Sequence, residues 1–444
     1  MSKLVVIGAG SAVFTKNLVG DLLTFDDIKL DNISLVDINK TKMDVMDHLI
    51  KKMIKQKRRD ITVISTTERR EVLGGANYVI CVISVGGVEA YEKDLEIPDK
   101  YGIDQNVGDT IGPGGTFRYL RVIPEILNIC KDMEELCPDA ILFNYTNPMA
   151  PICMTVDRAT NIKAIGLCHS VQGTASQLAS YLRVSIDSVI YWCAGINHMS
   201  WYLEYKVDGK DAYPNLMKLS ESHELIDVLD EYEKNYAASG VKLIDTIRFK
   251  IMQHFGYFVT ESSFHMSEYT PYFRKDKEAI KELRVDKRWW LAHEKSTDDY
   301  YDKLKNILDN DKVVEIEKTS EYAPDIIRAL ETNIPFRANL NVPNTNLIIN
   351  LPYGCCVEVP CYVDAIGIHP CYIGDLPEQC AALNRSNISV QEMMVKAALE
   401  KKKEYILQAV KLDPLTGALL NLDQIDNMVK ELMEAHKDYL KDFE

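Results

Sequence analysis

The arrangement that most constrains this chain stands at its N-terminus: strand, glycine pair, helix, strand, acid. Lys3 to Ile7 is a largely apolar run long enough for a buried strand, and it opens directly into Gly8-Ala9-Gly10-Ser11. The helical pattern Val13, Leu18, Leu22 and Leu23 follows. Glycines at such a turn let the backbone bend tightly and approach a pyrophosphate, whose charge sits on the free amides at the helix start. The next strand, Ile33 to Val36, ends in Asp37, a carboxylate that can accept hydrogen bonds from ribose hydroxyls and would repel a 2′-phosphate. The order of these elements points to NAD held by Gly8, Gly10, Ser11 and Asp37. The plainer reading is an ordinary strand-to-helix turn. Val13 replaces the third glycine of the usual fingerprint, so the helix should sit farther from its strand.

Apolar runs and helical patterns alternate as far as about residue 170. Ile61 to Ile64, Tyr78 to Ile83, Ala140 to Phe143 and Ala164 to Leu167 read as further strands of an α/β, Rossmann-like parallel sheet. Ligands on such sheets gather at the carboxyl ends of the strands. There the sequence places Ser84-Val85-Gly86-Gly87, Asn144-Tyr145-Thr146-Asn147-Pro148 and Cys168-His169-Ser170. The glycine-rich run Gly108 to Gly115 fits close approach to a ligand, a mobile lid, or a plain surface loop.

At 444 residues the chain exceeds one typical core. Two closely packed domains are expected: an NAD-binding Rossmann-like domain over 1–188, and a mixed α+β domain for substrate, metal and oligomerisation over 189–444. The pairing is like that of lactate and malate dehydrogenases. Strand-like alternation begins at Ile190, a helical stretch covers about 220–256, and a lysine-rich segment near 275–320 reads as solvated helix and loop. Beta-like runs return at Leu347 to Leu351 and Cys355 to Val363, and two helices near 390–410 and 422–441 close the chain.

A net charge of −15 argues against a broad basic face for nucleic acid or anionic membrane. The apolar start is too short for a signal peptide and no run is long enough to span a bilayer. Eleven cysteines without regular spacing fit free thiols in a reducing cytoplasm. Adjacent Cys355 and Cys356 read as buried strand residues.

Cys168 sits at a strand end, and His198 follows the beta-like run Val189 to Ala194. A thiolate and an imidazole brought together hold a divalent cation with open positions left for substrate oxygens. The competing reading of such a cysteine is a small buried residue.

Gly8-Ala9-Gly10-Ser11, Asp37, Asn144-Tyr145-Thr146-Asn147-Pro148, Gly166-Leu167-Cys168-His169-Ser170 and Gly195-Ile196-Asn197-His198, taken in order, resemble the family 4 glycoside hydrolases, which use NAD and manganese. Cys168-His169-Ser170 is similar to the alpha-galactosidase branch, as is Gly256 to Ser263; alpha-glucosidases carry Cys-His-Glu, and galacturonidases are not separated by this triplet. The resemblance implies cleavage by a borrowed oxidation. NAD takes hydride from C3 of the sugar, a base removes the acidified C2 proton, the C1 substituent is eliminated, water adds, and the hydride returns. It implies Cys168 and His198 as metal ligands, for which nickel, cobalt or iron could replace manganese. It implies Ser84 beside the cofactor, Asn147 and His169 on sugar hydroxyls, Asp109 orienting water, and Tyr257 as the C2 base with Glu261 as its rival. Relatives are commonly homodimers or homotetramers. The rival readings are an alpha-galacturonidase or alpha-glucosidase of the same family, a 2-hydroxy-acid dehydrogenase sharing fold and cofactor, and a non-catalytic NAD sensor.

Overall fold

The computed structural model describes residues 2–236, 245–285 and 300–444. Among them, twelve strands join one sheet. They are β1 (Ser2–Ile7), β2 (Leu30–Val36), β3 (Thr62–Thr66), β4 (Tyr78–Cys81), β5 (Ile141–Asn144), β6 (Lys163–Gly166), β7 (Val189–Ile196), β8 (Met199–Val207), β9 (Lys210–Asp211), β10 (Phe336–Pro343), β11 (Cys356–Asp364) and β12 (Gly367–Pro370). The order is β3-β2-β1-β4-β5-β6-β10-β11-β7-β8-β9, with β12 on β11. The first six strands are parallel, as the apolar runs separated by helices require. The rest are antiparallel, so the sheet is a Rossmann-like half continued by a meander. Two joins are narrow: β6 meets β10 only at Gly166 and Asn341, and β11 meets β7 only at Gly195 and Glu358.

The strand-to-helix turn after β1 forms as its glycines demand. Gly8 has φ +89°, and a side-chain carbon there would lie 2.2 Å from the Val82 carbonyl oxygen. Helix Ala12–Leu22 follows, with Val13 at 41% exposure. The first turns of helix Gly112–Leu136 are buried from Gly112 to Ile123, beneath the C-terminal helices Glu378–Glu400 and Lys403–Leu412. Gly108 to Gly115 is therefore buried, neither a lid nor a surface loop.

Several expectations need correction. Leu347 to Leu351 makes turns in place of a strand, because the buried Asn344 amide donates to the carbonyls of Ile348, Leu351 and Pro352 at 2.9, 3.2 and 3.0 Å. Strand β10 escaped notice because its buried Asn339 and Asn341 break the apolar pattern; Asn339 donates to the Cys193 carbonyl at 2.7 Å. The stretch near 390–410 belongs to two helices divided at Lys401, which has φ +57°. The lysine-rich segment is more than a solvated face. Tyr301, Leu304 and Val314 are buried, the Tyr301 hydroxyl donates to the Gly10 carbonyl, and Thr319 donates to the buried Asp21 through its amide (2.8 Å) and its hydroxyl (2.5 Å). The parts of the helical and lysine-rich expectations at 237–244 and 286–299 lie outside the described residues.

The Gly8→Ala substitution meets both a left-handed φ and the Val82 carbonyl, so it should lower stability by about 3 kcal/mol. Urea denaturation checks this, and an unshifted midpoint would mean that the turn relaxes freely.

Candidate active site

Strands β2, β4, β5 and β6 are followed at their carboxyl ends by Asp37, Ser84, Asn147 and Cys168, and strand order reverses beside β1. At the glycine loop, the Asp37 carboxylate accepts from the Gly10 amide at 2.7 Å and the Asn39 amide at 2.8 Å. Ser11 occupies the helix N-cap with no capping bond from its hydroxyl, and Ser84 lies exposed just past β4. Gly10 is tight against Asp37: a side-chain carbon there would stand 2.6 Å from its Oδ2. These residues leave a bare-backbone cradle with free helix-start amides, which suits a pyrophosphate, and an acid suited to a ribose.

Cys168 follows β6 by two residues, and His198 sits at the tip of the tight β7–β8 turn, where Ile196 pairs with Met199 and His198 has φ +63°. The two sequence-distant residues meet: Cys168 Sγ lies 3.5 Å from His198 Nε2. Burial pushes the thiol up to about 12, reinforced by the Glu358 carboxylate, and pulls the imidazole down to about 3, reinforced by the His265 cation. His198 Nδ1 is buried without a partner. A neutral imidazole and a thiol at this separation fit two ligands on one cation. Among the described residues, no group of three or more His, Cys, Asp and Glu side chains is arranged to hold an ion. The fit is therefore an open site with two protein donors.

A second cluster packs against this pair. The His265 ring meets the His198 ring edge-on at 4.3 Å. Its Nδ1 is 2.5 Å from Glu261 Oε2, and its Nε2 is 3.9 Å from Asp109 Oδ1. Burial opposes the His265 cation, but the Glu261 carboxylate outweighs it and holds the imidazole up at about 9. Burial likewise opposes the Glu261 anion, and His265 overcomes it to hold the carboxyl well below the usual range. Burial raises Asp109, countered by Arg118 and His265, and its Oδ1 has no hydrogen bond. Arg248, fully buried, donates to the Glu261 carbonyl at 2.9 Å and to Asp245, fixing the segment that carries Glu261.

Of the residues singled out from sequence, the structure brings Cys168, His198, Asp109 and Glu261 together. Asn147 lies at the end of β5 with its Oδ1 buried and unpartnered, and its carbonyl accepts from Arg118 Nε at 3.4 Å. His169 stands beside Cys168, its Nδ1 3.6 Å from Glu321 Oε1. Tyr257 is not brought to this cluster. Its neighbour Phe258 pairs with Tyr202, well along β8 from His198, and its own ring packs on Tyr213 at 6.0 Å. The tyrosine that does approach is Tyr269, 6.4 Å from the His198 ring.

Sequence reasoning missed His265, Glu268, Tyr269 and Glu321. The spacing Glu261, His265, Tyr269 is a helical i, i+4 series that could have revealed two of them. Glu268 holds the glycine-rich loop: its carboxylate accepts from the amides of Asn106, Val107 and Gly108 at 2.6, 2.7 and 2.9 Å. That grip fixes the loop that carries Asp109.

The fold and the site together define an α/β enzyme built on a dinucleotide-binding sheet. The chain belongs to the family 4 glycosyl hydrolases. The family 4 glycosyl hydrolase profile matches residues 3–184, and the family 4 C-terminal domain profile matches 193–416. The chain is 41% identical over 446 residues to an alpha-galactosidase of Bacillus subtilis, covering 100% of both chains. It is 34% identical to an alpha-galactosidase of Rhizobium meliloti, covering 99% of this chain and 89% of the relative. At 30% identity it matches an alpha-galacturonidase of Lachnoclostridium phytofermentans, covering 99% and 96%. Among solved structures it superposes on a putative glucosidase, lplD, from Bacillus subtilis with TM-score 0.85 at 24% identity, covering 97% and 99%. It also superposes on a 6-phospho-alpha-glucosidase from gut microorganisms in complex with NAD and Mn2+, with TM-score 0.81 at 17% identity, covering 99% and 98%.

Removing the Glu268 carboxylate strands three buried amides, so Glu268→Ala should cost about 4 kcal/mol of stability. It should also open residues 105–109 to protease. Denaturant titration with limited proteolysis checks both.

Proposed function

We propose that this family 4 glycosidase is an alpha-galactosidase acting on small galactosides such as melibiose, with NAD and a divalent metal, manganese or a substitute. The observation that carries the reading is the Cys168–His198 pair, 3.5 Å apart at the carboxyl edge of a nucleotide-binding sheet. The galactoside preference is supported by the 41% identity over the whole chain to an alpha-galactosidase and by Cys168-His169-Ser170. The eleven free cysteines are in keeping with a reducing cytoplasm.

Bound cofactor and cation would supply reversible hydride storage and Lewis acidity, the means of turning a C3 alcohol into a ketone and back so that C2 becomes acidic and the C1 bond breaks by elimination. The residues divide the remaining work. The bare backbone at Gly8 and Gly10 lets the pyrophosphate approach the free amides that follow Ser11 at the start of helix Ala12–Leu22, Asp37 accepts the ribose hydroxyls, and Ser84 borders the same crevice. Cys168 and His198 would hold the cation. Asn147, with its free Oδ1, accepts a sugar hydroxyl, and His169 contacts another. Glu261 lies in the cluster that touches His198 and Tyr257 does not, but the His265 cation that holds its carboxyl well below the usual range makes it a weak base, so Tyr257 and Glu261 both stand as candidates to take the C2 proton. Asp109, across His265, orients the water that adds at the anomeric carbon.

Purified protein with NAD+ and Mn2+ should cleave p-nitrophenyl alpha-galactoside with no external electron acceptor and no accumulation of NADH, and protein stripped of dinucleotide should not. Accumulating NADH would assign a dehydrogenase instead. Deuterium at C2 should slow turnover or wash out into solvent; absence of both effects would rule out elimination. Cys168→Ser and His198→Ala should each cut kcat/KM by about a thousandfold and abolish metal dependence while circular dichroism is unchanged. Full activity in both would remove the metal site.

A further inference from the structure

The glycoside pocket has one wall that the proposed chemistry leaves unused. Glu321 reaches it from the end of the 300–321 segment, as the N-cap residue of helix Tyr322–Thr332. Its side chain is 13% exposed. One carboxylate oxygen, Oε1, lies 3.6 Å from His169 Nδ1, the residue next to Cys168. Tyr145, just past β5, is buried beside the same carboxylate, and burial together with the Glu321 charge pushes its phenol well above the usual range. The other oxygen, Oε2, is buried without a partner. A carboxylate has only lone pairs to offer, so a free oxygen in a desolvated wall invites a hydroxyl and repels an anion.

Resting on the glycosidase reading above, we infer that Glu321 is a specificity-determining residue: its free carboxylate oxygen accepts a sugar hydroxyl and excludes glycosides bearing a carboxylate or phosphate. The neighbours fit this assignment. His169 and Tyr145 stand beside the carboxylate and leave Oε2 unpartnered for a hydroxyl of the substrate. A site built to hydrogen-bond a hydroxyl discriminates strongly, because its own polar group is stranded when the wrong substrate enters. Glu321 is placed by the segment whose Thr319 is tied to Asp21, so its position is set by the nucleotide-binding half.

The test compares kcat/KM for p-nitrophenyl alpha-galactoside, alpha-galacturonide and alpha-galactoside 6-phosphate in wild type, Glu321→Gln and Glu321→Asp, all with NAD+ and Mn2+. In wild type the neutral glycoside should lead both anionic ones by about a hundredfold or more. Glu321→Gln, isosteric and uncharged, should lose about tenfold on the neutral substrate and shrink the ratio by at least about tenfold. Glu321→Asp keeps the charge and should keep the discrimination while losing turnover. An unchanged ratio in Glu321→Gln overturns the inference, as does a wild type that prefers an anionic glycoside. In both of those cases glycoside turnover survives. No turnover of any of the three by wild type would instead bring down the function reading itself. Should Glu321→Gln fail to fold, competition by galactose, galacturonate and galactose 6-phosphate against wild-type turnover decides: inhibition by galactose alone supports the inference, and equal inhibition by the anions refutes it.

Discussion

A buried carboxyl holds the two halves of the sheet in register. Glu358 lies opposite Gly195 on β7, and Asn341, opposite Gly166 on β6, donates to it at 3.4 Å. The Ser200 hydroxyl donates to its other oxygen at 2.6 Å. Burial pushes this carboxyl up to about 7. The glycines it faces admit no larger residue, since a side-chain carbon on Gly166 would stand 2.4 Å from Met149 Sδ and one on Gly195 2.5 Å from the Met199 carbonyl oxygen. Cys168 comes two residues after one glycine and His198 three after the other. Their 3.5 Å separation is set by this polar knot in the sheet interior.

The donors beside the knot are poised by solvent exclusion. Burial favours a protonated Cys168 and a neutral His198, so on the proposed reading a cation held by them would have to displace the proton from sulfur, with the imidazole lone pair already free. Next to them the Glu261–His265 pair keeps opposite charges in contact, which lets a buried carboxylate persist where a lone one would be neutralised. Arg248 and Glu268 then hold the segments bearing Glu261 and Asp109 by their backbones. Sites of this kind depend on such supporting bonds as much as on the reacting groups.

The parallel half was legible in the sequence because its strands other than the edge strand β3 are largely buried and read as apolar runs, and because Gly8 and Asp37 have few other uses in that order. The Cys168–His198 meeting was legible only through resemblance, since thirty residues separate them and spacing alone carries no geometry. The meander was harder to read. Its strands bury Asn339, Asn341 and Glu358, whose polarity argues locally for a loop while their bonds to neighbouring strands make them core. Tyr257 and Glu261 share one short stretch, yet that stretch runs along β8, so four residues separate a tyrosine packed on Tyr213 from a carboxylate in the cluster beside His198.

One stretch of chain, 300–321, reaches two parts of the crevice: Tyr301 bonds the glycine loop, and Glu321 stands beside His169, next to Cys168. On the proposed assignments, cofactor seat and substrate choice would share a single contiguous piece of polypeptide. A change in this piece that altered the preferred sugar would then also alter the grip on the dinucleotide, coupling the two traits.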